Sequence, residues 1–393
     1  MTQKIIRNYS AFMLFEGLAL SFFFGTYQLF LVDKGLNLLE INLLNCAFML
    51  ANFLFEIPTG AIADFFGRKK SVIFGLWVYS LSFFIYFFSD SFWQFLLAEI
   101  IGAFAFSCIS GALEALVVDS LKHHKYDGNL ETVFRRGEIR HLGIIIGAVA
   151  GSFVGQIDLS WPWFLTAVSF AFLAIASHFF FSEDYFSKVE KIAISFEPMK
   201  KIARESIVYG LKNRKLMFIV VFSSILAFIL QPINMYWPIV FQKNFLVETK
   251  YMGLIFSAVV VITYLGSQAS SYWQEKIKCK KNAIFFSQII TSLGIIFCFF
   301  AFNLSLFFLF FLLHEFGRGL FHPLNRAYIN ENIESKNRST VLSFESMIIK
   351  AGSGLGLIFS GLIASNFGIL NSWLISAIIL MITIFVFWRK NGN

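Results

Sequence analysis

The sequence predicts an all-α membrane protein, with twelve transmembrane helices in two pseudo-symmetric six-helix bundles. Three observations carry that expectation: a composition too apolar for water, apolar runs of about 20 residues along the whole chain, and one polar stretch that divides the runs six and six. Of the 393 residues 57% are apolar and only 14% charged, against about 25% charged in soluble domains. Runs of that length suit helices rather than barrel strands of ~10 residues, because inside a bilayer each segment must satisfy its own backbone groups. Only 6 prolines are present, which argues against disorder. Cys46, Cys108, Cys279 and Cys298 show no paired spacing, so neither a disulfide framework nor a zinc site is indicated.

The first run, 9–32, is too long for a cleavable signal and lacks a small-residue cleavage site, so it is expected to stay as span one. Spans two to six follow at 39–63, 71–89, 92–121, 138–157 and 162–182, and spans seven to twelve at 216–240, 251–273, 282–302, 304–329, 339–364 and 370–388. The stretch 183–215, rich in Lys, Ser and Glu, reads as a linker, giving bundles over 1–182 and 216–393. An even number of spans puts both termini on one side. All but six of the 32 basic residues fall on that side, and the positive-inside rule then makes it cytoplasmic. The net charge of +8 is thereby explained by topology, and no nucleic-acid partner is expected.

The halves repeat one another weakly. Phe95-Leu96-Leu97-Ala98-Glu99 in span four matches Phe311-Leu312-Leu313-His314-Glu315 in span ten, and Thr132-Val133 matches Thr340-Val341 at nearly the same offset. Such a pattern is that of a transporter built from two parallel repeats.

Between spans two and three stands Gly60-Ala61-Ile62-Ala63-Asp64-Phe65-Phe66-Gly67-Arg68-Lys69-Lys70. Gly60 suits close helix approach, Gly67 a tight reversal, and the basic run a cytoplasmic loop. This segment resembles the loop signature of the major facilitator superfamily, and the likeness extends to span count and linker. Glu56-Ile57-Pro58-Thr59-Gly60, the stretch from Ser110 to Ser120, and Arg338-Ser339-Thr340-Val341-Leu342-Ser343 resemble bacterial members with drug-efflux-like or unassigned roles. The resemblance implies a secondary transporter of the bacterial inner membrane. It also implies a conformational latch made of Gly60, Asp64, Gly67, Arg68, Asp119 and Arg338, in which Arg68 meets Asp119 and Asp64 meets the start of span eleven. Setting topology alone is the other role open to the basic run.

Ionisable groups inside spans are costly and mark function. Glu16 and Glu114 fall on spans that line the cavity in the family, and a carboxyl away from water favours its neutral form, so both are candidate proton carriers. Their alternative is a hydrogen-bonded packing role. Arg318, mid-span, is a candidate substrate anchor or else the partner of Glu315 three residues earlier on one face. Tyr27, Tyr236 and Trp237 are candidates to shape a site for an amphipathic ligand, and Gln231-Pro232-Ile233-Asn234 is expected to break span seven and expose Gln231 and Asn234. Gly143, Gly147, Gly151 and Gly155 at intervals of four make one groove on span five, read as a packing seam and echoed by Gly352, Gly354 and Gly356.

No nucleophile with its base, metal-ligand cluster or phosphate loop is apparent, so the chain is not expected to be an enzyme. The sequence therefore points to alternating-access transport, first to proton-coupled efflux of a small amphipathic or drug-like compound. Uptake or exchange of a specific small anionic solute, or a transport-inactive sensor with the same fold, are the alternatives. Expected partners are a small-molecule substrate and membrane lipid, the expected state is a monomer, and no cofactor is expected beyond the proton gradient as energy source.

Overall fold

A computed structural model describes residues 1–183, 185, 214–276, 280–332 and 338–389, and every regular element among them is helical. Eleven helical segments of the described residues are long and apolar enough to cross a membrane. They correspond to spans two to twelve, and span one supplies the remaining element in two pieces, Thr2–Ser21 and Tyr27–Asp33. Most of the expected linker lies outside the described residues.

Span one differs from the continuous helix expected of it. At Phe22–Thr26 the backbone bonds tighten to the three-residue kind, with the Phe24 N–H on the Ser21 carbonyl at 3.1 Å and the Thr26 N–H on the Phe23 carbonyl at 2.9 Å. Packing fixes the deviation: Phe23 stacks on Trp163 of span six at 4.3 Å and 13°, and Gly151 of span five presses on the Phe22 carbonyl. Span seven breaks where Pro232 leads one to expect, between Arg214–Ile229 and Gln231–Phe245, with Leu230 as the joint. Span five also differs, because a short helix, Leu130–Gly137, capped by the Asn129 side chain, precedes the spanning piece Arg140–Gly155.

The described chain divides into two compact units. The first comprises Met1–Leu36, Leu44–Ser195 and Val247–Ser257, and the second Asn37–Leu43, Phe196–Leu246 and Ala258–Asn393. Between helices in lipid there is little hydrophobic driving force, so close packing must do the holding. In the first unit the span five glycines lie against the span one backbone: Cβ atoms at Gly143 and Gly147 would sit 2.1 and 2.3 Å from the carbonyl oxygens of Leu14 and Leu18. The second unit repeats this between spans eleven and seven, where Cβ atoms at Gly352 and Gly356 would fall 2.5 and 2.4 Å from the oxygens of Ser224 and Phe228. The groove on span five is therefore a packing seam, as read from the sequence. Around these seams lie aromatic cores. Trp163 stacks on Tyr86 at 4.1 Å in one unit, and Phe307 stacks on Trp373 at 5.9 Å in the other. Each such pair contributes about 1 kcal/mol beyond its burial.

Candidate functional site

The loop signature occupies one end of the first unit. Gly67 takes φ 102°, a left-handed conformation that a side chain disfavours, and so reverses the chain between span two, Leu38–Phe66, and span three, Arg68–Phe88. The first N–H groups of span three have no partner within the helix, and the Glu183 carboxylate takes both, from Arg68 at 2.8 Å and Lys69 at 3.0 Å. The Arg68 guanidinium crosses to span four, where it pairs with Asp119 and donates to the Ala115 carbonyl at 3.2 Å. Asp64 stands 3.8 Å from the same guanidinium with its side chain 68% exposed. Tyr185 closes the cluster, its hydroxyl donating to the Leu116 carbonyl and meeting Ser120 at 3.2 Å, and burial pushes that phenol above its ordinary range.

The contact between Arg68 and Asp119 that the resemblance implies is thus present, whereas the Arg338 side chain lies outside the described residues. At Gly60 the close approach expected of it is not seen among the described residues, where a Cβ would meet no atom within 4 Å. Because Asp64 buries little, Asp64→Asn is expected to abolish transport while leaving membrane insertion and thermal stability unchanged. Vesicle transport beside the amount of protein in the membrane fraction checks this, and normal transport would remove Asp64 from the latch.

The candidate proton carriers separate. Glu16 on span one accepts two bonds from Arg140 of span five, one from Nε and one from Nη2 at 3.1 Å, and its side chain is only 14% exposed. Sequence reading had no signal for this partner, since Arg140, at the start of span five, counts there only among the basic residues of the cytoplasmic side. Glu114 is exposed, and no ion pair involves it among the described residues. The structure joins neither carboxylate to the other.

Tyr27, Tyr236 and Trp237 are interior groups. The Tyr27 hydroxyl donates to Glu99 at 3.2 Å and accepts from Asn45 at 2.9 Å; the Tyr236 hydroxyl accepts from Asn42 at 2.6 Å. Trp237 is buried beside Phe241 and Phe311. The reason is chemical: in an apolar interior phenols and indoles are driven to pack their rings and satisfy their polar tips.

Arg318, Gln231 and Asn234, by contrast, come together. They line a cavity of about 390 Å³ within the second unit, with Ser223, Gln288, Asn325, Arg326, Glu345 and Lys350 among its other walls. Arg318 also donates to Glu315 at 2.9 Å, so both of its sequence-stated roles are geometrically open. Glu345 is held by Asn325 at 3.0 Å and Arg326 at 3.4 Å. Lys350 is exposed, and no ion pair involves it among the described residues. Gln288 is 1% exposed and its Oε1 makes no hydrogen bond among the described residues, which is a costly state unless something polar enters the cavity. The volume is that of a small-molecule site, and its charge, three cations against one carboxylate, is positive.

Comparison with known proteins supplies the family. The chain is similar to the MFS-type transporter YxaM of Bacillus subtilis, 24% identical over 396 residues that cover 96% of this chain and 94% of that protein. It is similar to the quinolone resistance protein NorA of Staphylococcus aureus over 162 residues, 24% identical, or 41% of this chain and 40% of NorA. Among solved structures, the nucleoside transporter NupG superposes with a TM-score of 0.76 at 15% identity, over 98% of both chains. The inward-facing, unoccupied bacterial homologue of the human lysosomal transporter Spinster gives 0.77 at 12% identity, over 99% of this chain and 96% of that one. At such identities these structures speak for the fold. The family model matches residues 10–245 and again 216–392, so two broken lead helices, two glycine seams and the loop between spans two and three have a common explanation: this chain is a membrane transporter of the Major Facilitator Superfamily.

Proposed function

We propose that this transporter works by alternating access and exports a small amphipathic compound in exchange for protons, and that the compound carries an anionic group. The cavity of the second unit carries the reading, because Arg318, Arg326 and Lys350 face a space of small-molecule size together with Gln231, Asn234 and Gln288. Export draws support from the partial likeness to NorA. Uptake or exchange of a specific anionic solute is the second reading, and the same cations favour it. In this proposal the protein acts as a monomer in the bacterial inner membrane with both termini in the cytoplasm, and the proton gradient is its only energy source.

Compounds sharing one apolar body and differing in charge test the reading: naphthalenesulfonate, naphthol and naphthylmethylammonium. The anion is expected to raise the melting temperature of the purified protein most, since a ligand bound only by the folded form stabilises it. Lys350→Ala is expected to weaken the anion by about tenfold, the size of one charge-assisted hydrogen bond, and to leave naphthol unchanged. Equal stabilisation by all three compounds would discard the anionic assignment. In inside-out vesicles holding an imposed pH gradient, acid inside, anion addition should draw protons out of the lumen as the compound enters. Proton movement into the lumen would favour the uptake reading.

A further inference from the structure

Spans four and ten carry a glutamate at the same repeat position, Glu99 and Glu315, and the structure gives the two opposite surroundings. Glu315 is tied to Arg318 at 2.9 Å and lies 3.3 Å from the His314 ring. The residues in the matching places beside Glu99 are Ala98 and Gly102. Both hydrogen bonds to Glu99 come from neutral phenols and fall on one oxygen, Oε1: from Tyr27 of span one at 3.2 Å and from Tyr86 of span three. Asn45 of span two donates to the Tyr27 hydroxyl, which leaves the phenol's own proton for the carboxyl. The Tyr86 ring is fixed by its stack on Trp163 of span six, and Tyr79 is the remaining titratable group that faces the site from span three.

Among the described residues no lysine, arginine or histidine pairs with Glu99, and no hydrogen bond reaches its Oε2. The absence of a cation is built in. A Cβ at Gly102 would lie 2.9 Å from the Ser82 hydroxyl, which donates to the Ala98 carbonyl at 2.8 Å, so a counterpart of Arg318 there would have to displace that hydroxyl. Carboxyls inside a membrane span without a cationic partner are rare and functional.

We propose that Glu99 is the proton-binding carboxyl of the N-terminal half, taking a proton from water onto Oε2 while Oε1 keeps its two tyrosine donors, and returning it by the same oxygen. The assignment rests on the proton-coupled reading above. Phenols suit the exchange because they donate equally to a carboxylate oxygen and to the carbonyl oxygen of the neutral acid, so loading and unloading require no side chain to change partners. At Glu315 the same step would strand Arg318, and at Glu16 it would strand Arg140.

Infrared difference spectra of the protein in liposomes test this with the proton itself as ligand. A carboxylic C=O band is expected to grow as the pH is lowered, to vanish in Glu99→Gln, to persist in Glu16→Gln, and to remain in Glu99→Asp. Tyr86→Phe should move the band to higher wavenumber, because a carbonyl relieved of a donor stiffens; a merely structural role would leave the band in place. A band that survives Glu99→Gln, or no such band in the wild type, overturns the assignment. The same liposomes carry a lumenal pH dye, with naphthalenesulfonate as the transport probe. Wild-type pH changes that Glu99→Gln retains would leave coupling intact and remove Glu99 from it. An infrared band that behaves as stated, without probe-driven pH changes in the wild type, would keep the proton site and discard proton-coupled transport of that probe.

Discussion

Gly151→Ala is expected to destabilise the protein by ~3 kcal/mol, the upper range for overpacking. An ideal Cβ at Gly151 would stand 1.8 Å from the Phe22 carbonyl oxygen, and the next nearest atoms, at 2.4 and 2.5 Å, are also backbone. No rotamer can relieve such a contact. Relief requires moving the turn at Phe22–Thr26, which is held from the other side by the stack of Phe23 on Trp163. The control is Gly111→Ala in span four, where a Cβ meets nothing within 4 Å among the described residues; it should gain about 0.5 kcal/mol from the usual helical preference for alanine. Thermal unfolding of the purified protein compares the two, and similar melting temperatures would contradict the seam.

Arg140→Leu is expected to be nearly as damaging, again about 3 kcal/mol, because it leaves the Glu16 carboxylate among apolar groups without its partner. The side chains of the pair are 30% and 14% exposed, so water screens it little. Combining the change with Glu16→Gln should restore part of the loss, since the double variant contains no stranded charge. Unfolding of the two single variants and the double one forms a thermodynamic cycle. Losses that simply add would mean that the two groups act independently and that the ion pair holds nothing together.

The apolar runs made the spans legible because a membrane helix must be apolar for about 20 residues wherever it sits. Pro232 announced the break in span seven through its missing N–H. Span one carries no proline at Phe22–Thr26, and its break comes from Trp163 and Gly151, residues far along the chain whose positions no local pattern reveals. The same distinction separates the charged groups. Glu315 and Arg318 lie three apart on one helix, so their pairing could be foreseen. Arg140 stands at the start of span five, where basic residues usually set topology, yet its guanidinium reaches Glu16 on span one. Glu99 gathers partners from two other spans, a convergence that spacing along a sequence does not encode. Tyr27, Tyr236 and Trp237 could not be placed from sequence for a related reason: an amphipathic ring suits a cavity wall and a packed interior equally well, and only its neighbours decide.

Where spans one and five meet at Gly143, Gly147 and Gly151, main chain lies against main chain. Side chains can slip past one another by changing rotamer, but carbonyl oxygens lodged against glycine α-carbons cannot. The two helices must consequently travel as a single lever through any transport cycle. Spin labels on their lipid-facing sides should report one narrow distance in every state.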